Sequence, residues 1–327
     1  MKKILVCGAT GFIGRNIAEA LARNPDFEVF ATHLKRPAID HCRIHSIQAD
    51  LTDAATVDRV TCGMDIIIQA AATTSGAKDI VQRPYIHVAD NAVMNSLLLR
   101  AAFEHAVERF VFFSCSVMYP SASHALAEGD FNPADDMHPR YFGVGWTKVY
   151  IEKMCEFYAG LGRTKHTVIR HSNIFGPHDK FDLERSHVFG ATVTKVMRSQ
   201  GEGISVWGAG NEARDLLYVD DLIDFVELAI ERQESPYELV NVGSGVATSV
   251  RDLVKMIVAD SGKDVAINYD LSKPTIDTKL CLDTARAREI FGWSPKTGLE
   301  EGIRRTISWY EEEFKLQDNA SPTRTND

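Results

Sequence analysis

The chain has no CxxC pair and no cysteine–histidine spacing that suits a zinc site; Cys7, Cys42, Cys62, Cys115, Cys155 and Cys281 stand far apart. No metal is therefore expected. No apolar run approaches the ~20 residues that span a bilayer. The run after Met1-Lys2-Lys3 is Ile4-Leu5-Val6, too short for the apolar centre of a secretory leader. These absences give the expectation of free thiols in a reducing cytoplasm, away from membranes. A surplus of positive charge is also missing. The formal net charge is −9, from 36 Lys and Arg against 45 Asp and Glu. Such a surface repels phosphate backbones, so no nucleic-acid partner is expected. A small anion held by a few local arginines remains compatible with that balance. There is no internal repeat and no low-complexity linker, so a second lobe is expected from excursions of one chain rather than on a tether.

What is present is an ordinary globular composition, 45% hydrophobic over 327 residues. Short apolar runs at 3–7, 29–32, 44–48, 65–70, 109–114 and 167–170 read as strands. Helical spacing covers 12–23, 85–105 and 147–159. Strands alternating with helices predict βαβ units, hence an α/β fold with a doubly wound parallel sheet of the Rossmann type. Further on, helices are read at 186–199, 219–231, 249–260 and 299–313, and strands at 204–207 and 238–242. The expected organisation is a dinucleotide-binding domain over 1–172, to which later segments return, and a smaller α/β substrate-binding lobe mainly over 173–316. The polar stretch 317–327 has little to bury and reads as a disordered tail.

One motif carries chemistry by itself. Residues 4–14, ILVCGATGFIG, are an apolar strand, a glycine-rich turn and the start of a helix. Gly8, Gly11 and Gly14 permit a tight turn, close approach of the backbone to a pyrophosphate, and close helix–strand packing. The helix N-terminus at Phe12 and Ile13 favours an anion through its unpaired N–H groups and dipole. The expected cofactor is NAD or NADP. After the second strand, His33-Leu34-Lys35-Arg36 offers no acid for ribose hydroxyls. Lys35 and Arg36 could instead hold a 2′-phosphate, which favours NADP; otherwise they are a solvated loop. Asp50 and Leu51 are placed to flank an adenine, with a helix cap before Ala54 as the alternative for Asp50.

These motifs together resemble the extended short-chain dehydrogenase/reductases, the NAD-dependent epimerase/dehydratase family of nucleotide-sugar enzymes. The resemblance runs from Lys2 to about Tyr310. It rests on GATGFIG at 8–14, QADLTD at 48–53, IIQAAA at 67–72, SVMYP at 116–120, NIFGP at 173–177, RDLLYVDDL at 214–222 and FGWSPK at 291–296. Two segments, 173–188 and 206–221, are most similar to the family's GDP-L-fucose synthase branch. The resemblance implies that Ala70, Ala71 and Ala72 line the cofactor. It implies that Asn173, Val188, Trp207 and Arg214 face a nucleotide-diphosphate sugar, possibly GDP-linked, and that His187 is an acid/base group. An arginine suits that role because its fork can bond two phosphate oxygens; a surface salt bridge is the alternative for Arg214, and a surface histidine for His187.

One family feature is missing. The family's chemistry rests on a Tyr-x-x-x-Lys pair and a Ser or Thr. Here Lys148 is present, to hold the nicotinamide ribose and act in catalysis, but the tyrosine position is Val144 and the Ser/Thr position is Cys115. Val117 matches the cysteine that pairs with the histidine in the fucose synthase branch. Three outcomes stay open. Cys115 and His187 could share the proton transfers, since a thiol near a cationic cofactor could have a lowered pKa. Tyr119 or Tyr141 could stand in for the tyrosine, Tyr141 being seven residues before Lys148 on the same helix face. Or the chain could bind cofactor and sugar nucleotide with little turnover. Helices 85–105 and 147–159 are apolar on more than one face, and the resemblance implies that they pair across a four-helix bundle. A homodimer is the resulting expectation.

Overall fold

The computed structural model describes residues 1–73, 83–135, 137–183, 186–273, 275 and 278–320. Its frame is a parallel sheet with, among the described residues, seven strands. They are β1 (Lys2–Cys7), β2 (Phe27–His33), β3 (Ile44–Gln48), β4 (Ile66–Gln69), β5 (Arg109–Phe113), β6 (Lys165–His171) and β10 (Tyr237–Val242). The order across the sheet is β10-β6-β5-β4-β1-β2-β3, with every neighbouring pair parallel. The order turns back on itself between β1 and β4. Ligands of doubly wound sheets lie outside the carboxyl ends of the strands at such a reversal.

The sheet is covered on both faces, which is why its central strands are apolar throughout rather than alternating. Against one face pack α1 (Phe12–Leu21), α6 (Val219–Arg232) and α8 (Ala285–Phe291), through Ile17, Leu21, Leu222, Phe225, Val226 and Phe291. Against the other pack α2 (Ala54–Thr61), α3 (Ala89–Glu104) and α4 (Phe142–Gly160), through Val57, Val60, Leu98, Leu99, Ile151 and Cys155. Helix α3 begins later than its apolar spacing suggests. The turn Pro84–His87 before it is a 3-10 helix, with proline at its first position.

The second lobe is built from α5 (Val188–Arg198), α7 (Val250–Asp260), α9 (Leu299–Ala320) and two small sheets. One sheet holds β11 (Ala247–Ser249), β9 (Ala213–Tyr218) and β7 (Asn173–Phe175); the other pairs β12 (Ile267–Asp270) with β8 (Ile204–Trp207). Helix α9 continues through Gln317 to Ala320, since no glycine or proline interrupts it after Gly302; this corrects the start of the expected tail. The remainder of that segment, 321–327, lies outside the described residues.

The fully buried carboxylate of Asp215 joins the lobe to the sheet. It accepts from the amides of Ser244 (2.7 Å), Gly245 (3.2 Å) and Leu282 (3.1 Å) and from the Ser244 hydroxyl (2.8 Å). Burial raises its pKa, and these four donors work against that rise.

Candidate active site

The glycine turn sits where β1 meets the reversal of the sheet. Gly8 has φ +70°, and a Cβ there would lie 2.5 Å from the Ala71 Cα, so only glycine fits. A Cβ on Gly14 would lie 2.4 Å from the Gly8 carbonyl oxygen, which lets α1 press against the turn. Thr32 fastens the turn from β2: its hydroxyl accepts from the Gly8 amide at 2.9 Å and its carbonyl from the Ala9 amide at 3.0 Å. Helix α1 starts at Gly11 with no side-chain cap and no acidic residue in its first turn. The amides of Phe12 and Ile13 therefore keep the unpaired character of a helix start. That arrangement fits the pyrophosphate of a dinucleotide.

Around this turn, Ala70 and Ala71 are half-buried and Ala72 is exposed, at the carboxyl end of β4. Arg36 reaches over the turn, donating to the Thr10 carbonyl at 2.7 Å, while its own carbonyl contacts His33 Nδ1 at 3.0 Å. Lys35 is exposed beside it. Asp50 accepts from the Thr52 amide and hydroxyl, whereas the cap of α2 is Asp53, whose carboxylate accepts from the Thr56 amide at 2.8 Å. The capping role considered for Asp50 thus belongs to Asp53. The Leu51 side chain is buried in the core cluster that includes Val57 and Val60 of α2.

A cleft of about 310 Å³ opens at the same turn, lined in part by Thr10, Gly11, Arg15, Arg36, Asp179 and Trp309. Here Glu19 is held down to about 2, chiefly by its bond to His178. Burial pushes Asp179 up to about 7.

The chemistry-bearing side chains lie at the carboxyl ends of β5 and β6. Lys148, on α4, donates to the Phe113 carbonyl at 2.6 Å and sits over the Phe112 ring. Burial lowers its pKa. Val144 occupies the same helix one turn earlier and is half-buried. Cys115 lies within electrostatic reach of Lys148, but burial outweighs the ammonium and raises the thiol pKa.

The two tyrosines differ. Tyr119 is buried, donates to Asn241 Oδ1 at 2.8 Å and accepts from Arg170 Nη1 at 3.0 Å. With both hydrogen-bonding capacities used and its phenol pushed up to about 12 by burial, it is a poor proton carrier. Tyr141 ends the 3-10 turn Pro139–Tyr141 and stands at the N-cap of α4, which begins at Phe142. Burial raises its phenol, opposed by Arg214 and Arg140 and reinforced by Cys115.

Beneath these groups Glu152 and Arg170 form a buried two-point ion pair, at 3.0 and 2.7 Å, joined by the Ser114 hydroxyl at 2.5 Å. It ties α4, β5 and β6 together. From the lobe, Asn173 donates to the Asp215 carbonyl at 3.3 Å, and Arg214 donates to the Thr278 carbonyl at 2.8 Å. Trp207 is 53% exposed at the end of β8. His187 is the N-cap residue of α5, followed by half-buried Val188. Its ring is exposed yet set among protein atoms that lower its pKa.

Sequence reasoning missed His171, the last residue of β6. Its Nδ1 lies 2.7 Å from the Ser172 carbonyl oxygen, and it is close enough to feel the charges of Lys148 and His187. A single histidine at a strand end carries no spacing signal. Among the described residues no group of His, Cys, Asp and Glu could hold a metal ion, and no helix is long and apolar enough to cross a membrane.

Comparison with known proteins agrees with this geometry. A GDP-L-fucose synthase of Azorhizobium caulinodans is 27% identical over 318 residues, covering 94% of this chain and 96% of that protein. A dTDP-L-rhamnose 4-epimerase of Burkholderia thailandensis is 27% identical, covering 96% of both chains. The crystal structure of a UDP-glucose 4-epimerase from Thermotoga maritima with UDP-glucose superposes with a TM-score of 0.82 at 25% identity, covering 95% of this chain and 99% of that one. The model of the NAD dependent epimerase/dehydratase family matches residues 4–243. With that match over most of its length, the chain belongs to the NAD dependent epimerase/dehydratase family.

Proposed function

We propose that this protein modifies a nucleotide-diphosphate sugar, by epimerisation, by reduction of a keto-sugar, or by both. What supports this reading is the set of groups gathered at the carboxyl ends of the sheet strands and on the second lobe. They are the uncapped helix start at Gly11, Lys148 anchored on the Phe113 carbonyl at the end of β5, and His187, Trp207 and Arg214 on the second lobe. A bound nicotinamide dinucleotide would supply the hydride chemistry. Gly8, Gly11, Phe12, Ile13 and Gly14 would hold its pyrophosphate, with Ala70–Ala72 as the neighbouring wall. Asp50 would lie on the adenosine side. His33, Lys35 and Arg36 would favour the 2′-phosphorylated form. Lys148 would fix the ribose and hold positive charge beside the reacting carbon. Asn173, Val188, Trp207 and Arg214 would orient the sugar nucleotide, and His187 with Cys115 would exchange protons with it.

The test is incubation with NADPH or NADH and GDP-4-keto-6-deoxymannose, following absorbance at 340 nm and deuterium uptake from heavy water into the sugar. Cofactor consumption supports reduction, and deuterium uptake alone supports epimerisation. Cys115→Ala and His187→Ala are each expected to slow the exchange; if both leave it unchanged, the thiol–imidazole assignment fails.

A second reading is a binding protein with little turnover. It is favoured by Val144 at the tyrosine position and by the fully engaged phenol of Tyr119. Tight binding of both ligands with neither signal would establish it.

The chain is further proposed to act as a homodimer. Helices α3 and α4 lie side by side, linked by Ser96 and Tyr150 at 3.2 Å. They expose Val93 (45%), Tyr150 (45%) and Phe157 (59%). That face suits a four-helix bundle between two copies, and a monomer mass by light scattering at micromolar concentration would contradict it.

A further inference from the structure

Redox chemistry at a sugar hydroxyl needs a group that takes its proton, and the described crevice offers few. Val144 has no proton to exchange, Tyr119 is engaged on both sides, and burial works against both the Cys115 thiolate and the Tyr141 phenolate. His171 differs from these four in carrying its free lone pair while neutral. A carbonyl oxygen only accepts, so the 2.7 Å contact with Ser172 places the proton on Nδ1. The lone pair is then on Nε2. His166, earlier on the same strand, has both ring nitrogens sealed from solvent and without partners; Nε2 of His171 is not sealed in this way.

The position is also apt. His171 ends β6 and lies edge-on to Phe113, ring centres 6.3 Å apart. The carbonyl of that same Phe113 anchors Lys148. Lys148 from α4 and His187 from the start of α5 are the charged or titratable groups that bear on the ring. The end of β6, α4 and the start of α5 thus bring these three side chains near one another.

We propose that His171 takes the place of the family's tyrosine, receiving on Nε2 the proton of the sugar hydroxyl that is oxidised and returning it on reduction. This assignment rests on the reading of the chain as a redox modifier of nucleotide sugars. In the oxidising direction the O–H bond breaks and its proton binds Nε2. The carbon–oxygen double bond forms as the C–H hydrogen departs with its electron pair to the oxidised nicotinamide dinucleotide. In the reducing direction hydride from the reduced dinucleotide adds to the carbonyl carbon, and the Nε2 proton goes to oxygen. Burial, opposed by the Ser172 contact and aided by the Lys148 ammonium, holds the imidazole down to about 4, so at neutral pH it is the acceptor form.

His171→Phe tests the proposal, with His171→Gln as a second variant in case the first does not fold. Each should retain NADP and nucleotide-sugar affinity by calorimetry while turnover falls about 10²–10⁴-fold, the scale of a lost proton-transfer group. Adding Val144→Tyr should restore at least tenfold of that loss. Imidazole ¹⁵N spectra of the wild-type protein should show His171 as the Nδ1–H tautomer, with a signal that moves when NADP and GDP are added. Unchanged turnover in a folded variant, or an Nε2–H tautomer, overturns the role of His171. A wild-type protein that binds both ligands and turns over neither keto-sugar nor alcohol overturns the underlying functional reading instead.

Discussion

The ammonium of Lys148 donates to the carbonyl oxygen of Phe113 at 2.6 Å, and Glu152, one turn along the same helix, is committed to Arg170. A buried cation so sparsely partnered costs stability. Lys148→Met should therefore raise the melting temperature while cutting turnover by about 10²-fold or more, the scale of a lost electrostatic contact at the reacting centre. Calorimetric melting and the 340 nm assay read the two effects separately. A lower melting temperature would show that the ammonium is a structural element.

Glu152→Ala leaves the Arg170 guanidinium buried and unpaired. A loss of about 3–5 kcal/mol is expected, the scale for breaking one side of a buried pair. Urea unfolding measures it, and a change under 1 kcal/mol would mean that water enters to replace the carboxylate.

His166 sits fully buried on β6 with neither ring nitrogen partnered, and burial holds it down to about 4. It is neutral when folded and ionises near 6.5 when unfolded. Stability present above pH 6.5 is therefore lost as the pH falls from 6.5 towards 4, by up to about 3 kcal/mol. His166→Leu should flatten that acid limb of the stability–pH curve, and an unaltered limb would assign it elsewhere.

Gly8→Ala places a methyl against the Ala71 backbone at a φ of +70°. The turn must distort, at a cost on the order of 1–3 kcal/mol, and calorimetry should find coenzyme binding abolished or nearly so. Retained affinity would show that the pyrophosphate lies elsewhere.

Arg36→Ala should weaken NADPH and spare NADH. The guanidinium is held over Thr10 at the lip of the turn, where a 2′-phosphate could displace the carbonyl contact. Equal loss for both coenzymes, or none, would end the assignment.

The sheet was legible because its strands are apolar runs and its first turn can only be made with glycine. Helices α1, α4 and α6 declared themselves by apolar spacing. Strand β9 did not, because its early residues, Arg214 and Asp215, are charged groups whose partners come from far along the chain. Helix α8 is too short, at seven residues, to show a period. In the crevice, Lys148 followed from its motif. The engagement of Tyr119 depends on Arg170 and Asn241, 51 and 122 residues away, and no local pattern announces such contacts. His171 was hidden for the same reason: its meaning comes from Phe113, Lys148 and His187, which only folding brings near.

The anchoring of Asp215 has a practical consequence. A fragment ending at Val242 would contain all seven strands of the main sheet and still expose an acid whose amide donors, at Ser244, Gly245 and Leu282, had been cut away. The coenzyme half is thus unsuited to expression by itself, and engineering that grafts a new substrate lobe must carry these three amides across with it.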